Sequence, residues 1–201
     1  QLIPKSNATP GLLAHIFTAK FADALPLYRQ QKIFARLGLD LSRSTMAHWG
    51  IEASWRCRPL IDLLQQEIRG GPLINVDEST LQVLKEPGRR NTSKSYMWIY
   101  RGGSPDKPAL VYQYAPSRSG QVAEEFISDY QGFIQSDAFT GYDRFENKPG
   151  IRLLGCWAHA RRKFVAVVKA KKKVRSKHKN PQSLADEAVA FIRLLYRIEK
   201  Q

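Results

Sequence analysis

The chain has 201 residues, 43% of them hydrophobic with four Trp, and sets 32 Lys and Arg against 18 Asp and Glu for a formal charge of +14. That apolar share over that length can bury a real core, while no apolar run approaches the roughly 18 residues of a membrane span. The start, Gln1-Leu2-Ile3-Pro4-Lys5, lacks the apolar stretch of a signal peptide. Cys57 and Cys156 are the only cysteines, which argues against a disulfide framework and for a reducing, cytosolic setting.

Residues 1–10 read as an irregular lead-in. From Gly11 to about Leu37, apolar residues recur at helical spacing. Pro26 separates two helices or opens the second, and Gly38 closes it. Ser42 or Ser44 is placed to cap a helix through Thr45, Met46, Trp49 and Ile51. Helix, glycine turn and capped helix with Arg43 near its start is the outline of a helix-turn-helix that reads DNA. Plain helical scaffold is the alternative. A further helix over 53–68 runs into Gly70-Gly71-Pro72, a clear boundary.

Beyond that boundary the period changes. Leu73–Val76 reads as a buried strand ending at Asp77. Tyr96–Tyr100 and Ala109–Tyr114 are aromatic and β-branched strands joined by a hairpin-like connection over 101–106, and 86–91 reads as an exposed loop. Ser119 caps a helix through Val122, Phe126, Ile127 and Tyr130. Gly132 restarts the sheet at Phe133-Ile134, which ends at Asp137. A short helical turn over 142–147, a fifth strand over 151–156 and a basic helix from about Ala158 follow. The order predicts a mixed α/β layer, antiparallel on one side and parallel on the other. Residues 171–182 read as a Lys-rich excursion, and a last helix restarts near Ser183 with Leu184, Ala188, Phe191, Ile192, Leu195, Tyr196 and Ile198 on one face.

From Asn147 to Ala185 there is no acidic residue, and twelve Lys and Arg fall there. A one-sign block of this size suits a phosphate track, because each cation set on a phosphate releases condensed counterions. The residues expected to carry it are Arg161, Arg162, Lys163, Lys171, Lys172 and Lys173. A basic soluble protein without such a partner is the plainer reading.

Asp77 and Asp137 each follow a short strand. Two carboxylates at the ends of neighbouring strands repel unless a divalent cation lies between them, and metal so held can activate an attacking oxygen at a phosphodiester. Aspartates that merely cap turns are the alternative. Alternation along the strand sends Glu78 to the opposite face, so Asp77 is the expected ligand and Glu78 the fallback, while Asp143 faces solvent. Cys156 and His159 flank a strand-to-helix turn. They are too few for a closed zinc site; His159 instead buttresses the acids or the scissile phosphate, and Cys156 reads as a core residue.

Three blocks taken together, Val76-Asp77-Glu78-Ser79-Thr80, Gln135-Ser136-Asp137-Ala138-Phe139-Thr140-Gly141-Tyr142 and Cys156-Trp157-Ala158-His159-Ala160-Arg161-Arg162-Lys163-Phe164, strongly resemble the IS66-family transposases. So do Leu25-Pro26-Leu27-Tyr28-Arg29-Gln30 and Leu195-Tyr196-Arg197-Ile198-Glu199, in the family's order. The resemblance implies a ribonuclease-H-like core with a mixed five-stranded sheet and flanking helices, preceded by an all-helical segment. It implies a three-acid (DDE) site that takes Mg²⁺, with Mn²⁺ as a substitute, and cleaves and joins DNA. Asp77 looks like the first acid, Asp137 the second, and Cys156/His159 the Cys-x-x-His signature between the second and third. For the third acid only Glu199 has a family-like setting. The implied partners are DNA at transposon ends and target, a homodimer in a synaptic complex and accessory proteins of the element, with nucleoid association in a bacterial cytoplasm.

The expected organisation is a helical, helix-turn-helix-like segment over 1–70, the catalytic core over 71–170, and a basic linker with the start of a helical insertion over 171–201. With no initiator Met and no third-acid block of family form, the chain reads as an internal piece. The function expected is that of a transposase. The alternatives are a catalytically incomplete DNA-binding remnant and another nuclease or resolvase on the same core.

Overall fold

In the computed structural model, residues 2–173 and 183–198 are described. The chain divides into two compact units, Gln1–Leu63 and Leu64–Gln201.

The first unit is helical. α1 (Pro10–Phe21) starts where Pro10, with no N–H to leave unpaired, follows Thr9, whose hydroxyl accepts from the Leu12 amide. α2 (Leu27–Arg36) begins after Pro26 and ends before Gly38, whose φ of +79° is the left-handed exit that glycine adopts without strain. α3 (Arg43–Arg56) is capped by the Ser42 hydroxyl, which accepts from the Thr45 amide at 3.0 Å. Leu13, Ile16, Phe34, Leu41, Met46 and Trp49 form the core. Ile3 and Ala8 join it, so the irregular lead-in is packed down rather than loose. The side-chain amide of buried Gln30 donates to the carbonyls of Ile16 and Leu25. The break expected near Ile51 falls later: α3 runs to Arg56, Cys57 caps it outside any helix, and α4 (Arg58–Gly70) follows.

The second unit is built on a five-stranded sheet in the order β3-β2-β1-β4-β5, with β1 Leu73–Gln82, β2 Lys94–Ser104, β3 Lys107–Ala115, β4 Gly132–Ser136 and β5 Ile151–Gly155. β1–β2 and β2–β3 are antiparallel; β1–β4 and β4–β5 are parallel. This is the mixed α/β layer that the element order predicts, and it is consistent with the ribonuclease-H-like core that the resemblance implies. One face is dry. Ile74, Val76, Trp98, Tyr100, Val111 and Ile134 are buried there, and α5 (Gly120–Ile127), capped by Ser119, brings Ala123, Phe126 and Ile127 to the same core. The Tyr100 and Phe126 rings stack with centroids 3.5 Å apart. A Cβ on Gly120 would collide with the Gly141 backbone, so glycine permits α5 to lie against the 3-10 turn α6 (Thr140–Phe145), where Tyr142 and Phe145 are buried.

Three expectations need correction. β1 does not stop at Val76; antiparallel pairing with β2 carries it to Gln82, so Asp77 lies within a strand. α7 (Trp157–Lys173) extends through the segment 171–173 expected to be an excursion; residues 174–182 lie outside the described residues. In α8 (Leu184–Ile198), which packs with α7, Ala185 and Ile192 are buried, whereas Leu184, Phe191 and Ile198 are exposed. The inward face is therefore rotated from the one the apolar spacing suggested.

Candidate functional site

β1 and β4 run parallel in the register Leu73↔Phe133, Ile74↔Ile134, Asn75↔Gln135. The Asn75 amide donates to Oε1 of Gln135 at 2.7 Å, marking the last rung and the face on which it lies. Asp77 and Asp137 each stand two positions past this rung. Side chains on a strand alternate faces, so the step of two returns both acids toward the face of the Asn75–Gln135 pair. β1 continues along β2 while β4 ends at Ser136, and a cleft of about 1290 Å³ opens where they part.

Both aspartates line that cleft, together with Glu78, Arg118, Phe139, Cys156, Trp157, His159, Arg162 and Lys163. The Asp77 side chain is 50% exposed, and Nε2 of His159 stands 3.7 Å from its Oδ2. Its Oδ1 accepts the Glu78 amide at 2.9 Å. Asp137 uses Oδ1 to accept the Phe139 amide at 2.9 Å, an Asx turn of the kind that holds a loop, and turns Oδ2 toward Arg118 at 3.9 Å. Each acid thus spends one oxygen on local backbone and turns the other toward a basic side chain, His159 for Asp77 and Arg118 for Asp137. Nδ1 of His159 is buried without a hydrogen-bond partner among the described residues.

Glu78 has a different setting. Its side chain is 0% exposed, Nε and Nη2 of Arg118 lie 2.6 Å from Oε1, and the Tyr142 hydroxyl donates to Oε2. The Arg118 guanidinium lies 3.8 Å over the Phe139 ring. Burial works against its charge, but the Glu78 carboxylate, with Asp137 beyond it, more than compensates and raises its pKa. Burial, reinforced by Glu78 and Asp137, pushes the Tyr142 phenol well above its ordinary range, so it stays a neutral donor.

α7 starts directly after β5, which aims its first turns over the cleft. His159, Arg162, Lys163 and Ala166, spaced three and four apart on one helical face, line it. Arg162 and Lys163 are exposed, whereas Arg161 is half-buried and is not part of the lining. Cys156, expected as a core residue, is half-exposed in the wall. Arg43 is exposed in the first turn of α3, in the other unit. Lys171, Lys172 and Lys173 fall in the last turn of α7. Glu199 lies outside the described residues. Asp143 is exposed, as expected.

Arg118 and Phe139 escaped the sequence reading, although Ser119 beside Arg118 was legible as a helix cap. A lone arginine before a cap carries no signal until the fold sets it against Glu78, 40 positions away.

Among the described residues no group of three or more His, Cys, Asp or Glu is arranged to hold a metal. The pair Asp77 and Asp137 offers hard carboxylate oxygens, the donor type that Mg²⁺ takes with several waters, and so fits part of such a shell. No described helix is long and apolar enough to cross a membrane.

The model of the Transposase IS66 family matches residues 5–201. Three uncharacterized proteins of Sinorhizobium fredii are similar. y4jD is 38% identical over 96% of this chain and 38% of its own length. y4qI is 34% identical over 82% of this chain and 32% of its own length, and y4hP is 28% identical over 98% and 38%. The chain therefore spans well under half the length of these relatives.

Proposed function

The chain belongs to the IS66 transposase family, and from that premise we propose that it carries the strand-cleaving centre of an insertion-sequence transposase, with Asp77 and Asp137 as two of its acids. The observation that carries the reading is the shared offset of the two aspartates past the Asn75–Gln135 rung, opening on one cleft with His159, Arg162 and Lys163.

In this reading the carboxylates of Asp77 and Asp137 would hold a divalent cation, Mg²⁺ or Mn²⁺ in its place. When bound, the cation supplies Lewis-acid polarisation of the scissile phosphate and acidifies the attacking water or 3′-hydroxyl. His159 orients Asp77 through Nε2, as a second group behind a ligating carboxylate does. Arg162 and Lys163 neutralise the DNA strand alongside. The attacking oxygen forms a new bond to phosphorus, the 3′ oxygen on the far side leaves with the bonding pair, and the attacking proton passes to solvent. Glu199 is retained as the candidate third acid. Arg161, Lys171, Lys172 and Lys173 extend the phosphate track, and Arg43 reads DNA from the helical segment 1–70. Transposon ends and target DNA are the partners proposed with this function, with a synaptic homodimer and accessory proteins of the element as further candidates.

A second reading, DNA binding without cleavage by this chain, is favoured by one observation: among the described residues no third His, Cys, Asp or Glu joins the two aspartates in a group that could hold a metal. The test is cleavage of transposon-end DNA in Mg²⁺ by the protein expressed from its complete reading frame. Asp77→Asn and Asp137→Asn should each abolish cleavage while DNA binding persists. Cleavage at wild-type rate by either variant would overturn the assignment, and absence of cleavage by the wild type would leave the binding reading.

A further inference from the structure

The Glu78 carboxylate is the one acid of the cleft that is fully enclosed, and its contacts are with Arg118 and Tyr142. A buried carboxylate with both oxygens engaged is poorly disposed to ligate a metal, yet well disposed to hold a guanidinium still. Arg118 has five N–H groups in a fixed plane. Nε and one Nη2 hydrogen are directed to Glu78, and the plane is fixed against the Phe139 ring. Nη1 makes no hydrogen bond among the described residues, and the side chain is 41% exposed on the cleft beside Asp137. The result is a pre-oriented cationic donor beside the acid pair, held from behind and open in front.

We propose that Arg118 is a phosphate-binding residue of this cleft, its Nη1 donating to a phosphate oxygen of the nucleic-acid strand beside Asp137, with Glu78 and Tyr142 as its positioning residues. This rests on the reading of the cleft as a DNA site. It also gives Glu78 a role other than substitute ligand for Asp77. A lysine at this position keeps the charge but offers a single nitrogen, which Glu78 would capture; arginine alone reaches Glu78 and a phosphate together.

The test is DNA affinity against salt concentration, using the 201-residue chain and a short duplex. Arg118→Lys should bind about tenfold or more weakly, having lost a charge-assisted hydrogen bond, and the slope of log K against log salt should fall by about 0.9 for one phosphate contact. Wild-type affinity and slope in Arg118→Lys would overturn the proposal. Tyr142→Phe, which changes no charge, should weaken binding in the wild-type background and have no further effect beside Arg118→Lys; additive losses would overturn its positioning role. Should Arg118→Lys fail to fold, the guanidinium ¹⁵N resonances of Arg118 in the wild type decide: they shift on adding duplex, or the proposal is wrong. Asp77→Asn and Asp137→Asn separate the two claims. Cleavage that survives them sinks the catalytic reading alone, and intact binding by Arg118→Lys sinks this one alone.

Discussion

Nε2 of His159 stands 3.7 Å from Oδ2 of Asp77, joining the first turn of α7 to the centre of β1 across 82 positions of sequence. The contact is an ion pair only when the imidazole is protonated. In the proposed site His159 orients the carboxylate that would hold the cation. His159→Ala should therefore lower cleavage about 10–100-fold, the usual cost of losing a group behind a ligating residue, with little change in DNA affinity. Single-turnover cleavage and equilibrium binding on one preparation separate the two effects.

Arg162 and Lys163 face the cleft and Arg161 does not. Replacing Arg162 and Lys163 together by Gln should reduce the salt slope of DNA binding by about 1.8, two phosphate contacts at about 0.9 each. Arg161→Gln should change it by much less. Fluorescence anisotropy over a salt series measures both, and equal effects from all three positions would favour a diffuse basic surface over an oriented one.

Gly120→Ala places a Cβ against the Gly141 backbone, where no flexible side chain can move aside. The expected loss is about 1–3 kcal/mol, the range for overpacking, read as a drop in unfolding midpoint. Gly155→Ala, whose Cβ meets nothing within 4 Å, should leave the midpoint unchanged.

Tyr142 gives a pH dependence of defined sign. Its phenol is held above the ordinary 10.0 in the fold by burial, with Glu78 and Asp137 adding to it. Above pH 10 the unfolded chain gives up this proton while the folded one keeps it, so stability falls as pH rises. The contribution is fully present below pH 10 and lost above it. Tyr142→Phe should make the alkaline limb of a stability–pH curve less steep, leaving the part due to Tyr100 and Tyr130, which burial also raises.

The elements were largely legible because their signals are local. Pro26, Gly38, Ser42 and Ser119 punctuate the chain where propensity says they should, and Gly71, Gly132 and Gly150 mark the starts of β1, β4 and β5. The two aspartates were legible as acids carried on or just past a strand, and in the fold both line one cleft. What escaped the sequence depends on contacts between distant positions. β1 runs on past Asp77 because β2 pairs with it, not because of anything in 77–82. Arg118 matters because Glu78 and Phe139 meet it. Cys156 is half-exposed because the strand it follows ends at the cleft. In α8 the apolar residues outnumber those its neighbours cover, so periodicity misplaced the inward face.

The central claim is that Asp77 and Asp137 form one cation site, and paramagnetic Mn²⁺ reads this directly. In ¹⁵N-labelled chain, substoichiometric Mn²⁺ should broaden the amides of Glu78 and Phe139, which donate to the two carboxylates, more than any amide outside the cleft. Excess Mg²⁺ should reverse the broadening, and either Asp77→Asn or Asp137→Asn should weaken it at both amides together. Broadening centred elsewhere, or loss at one amide with the other unaffected, would contradict the account.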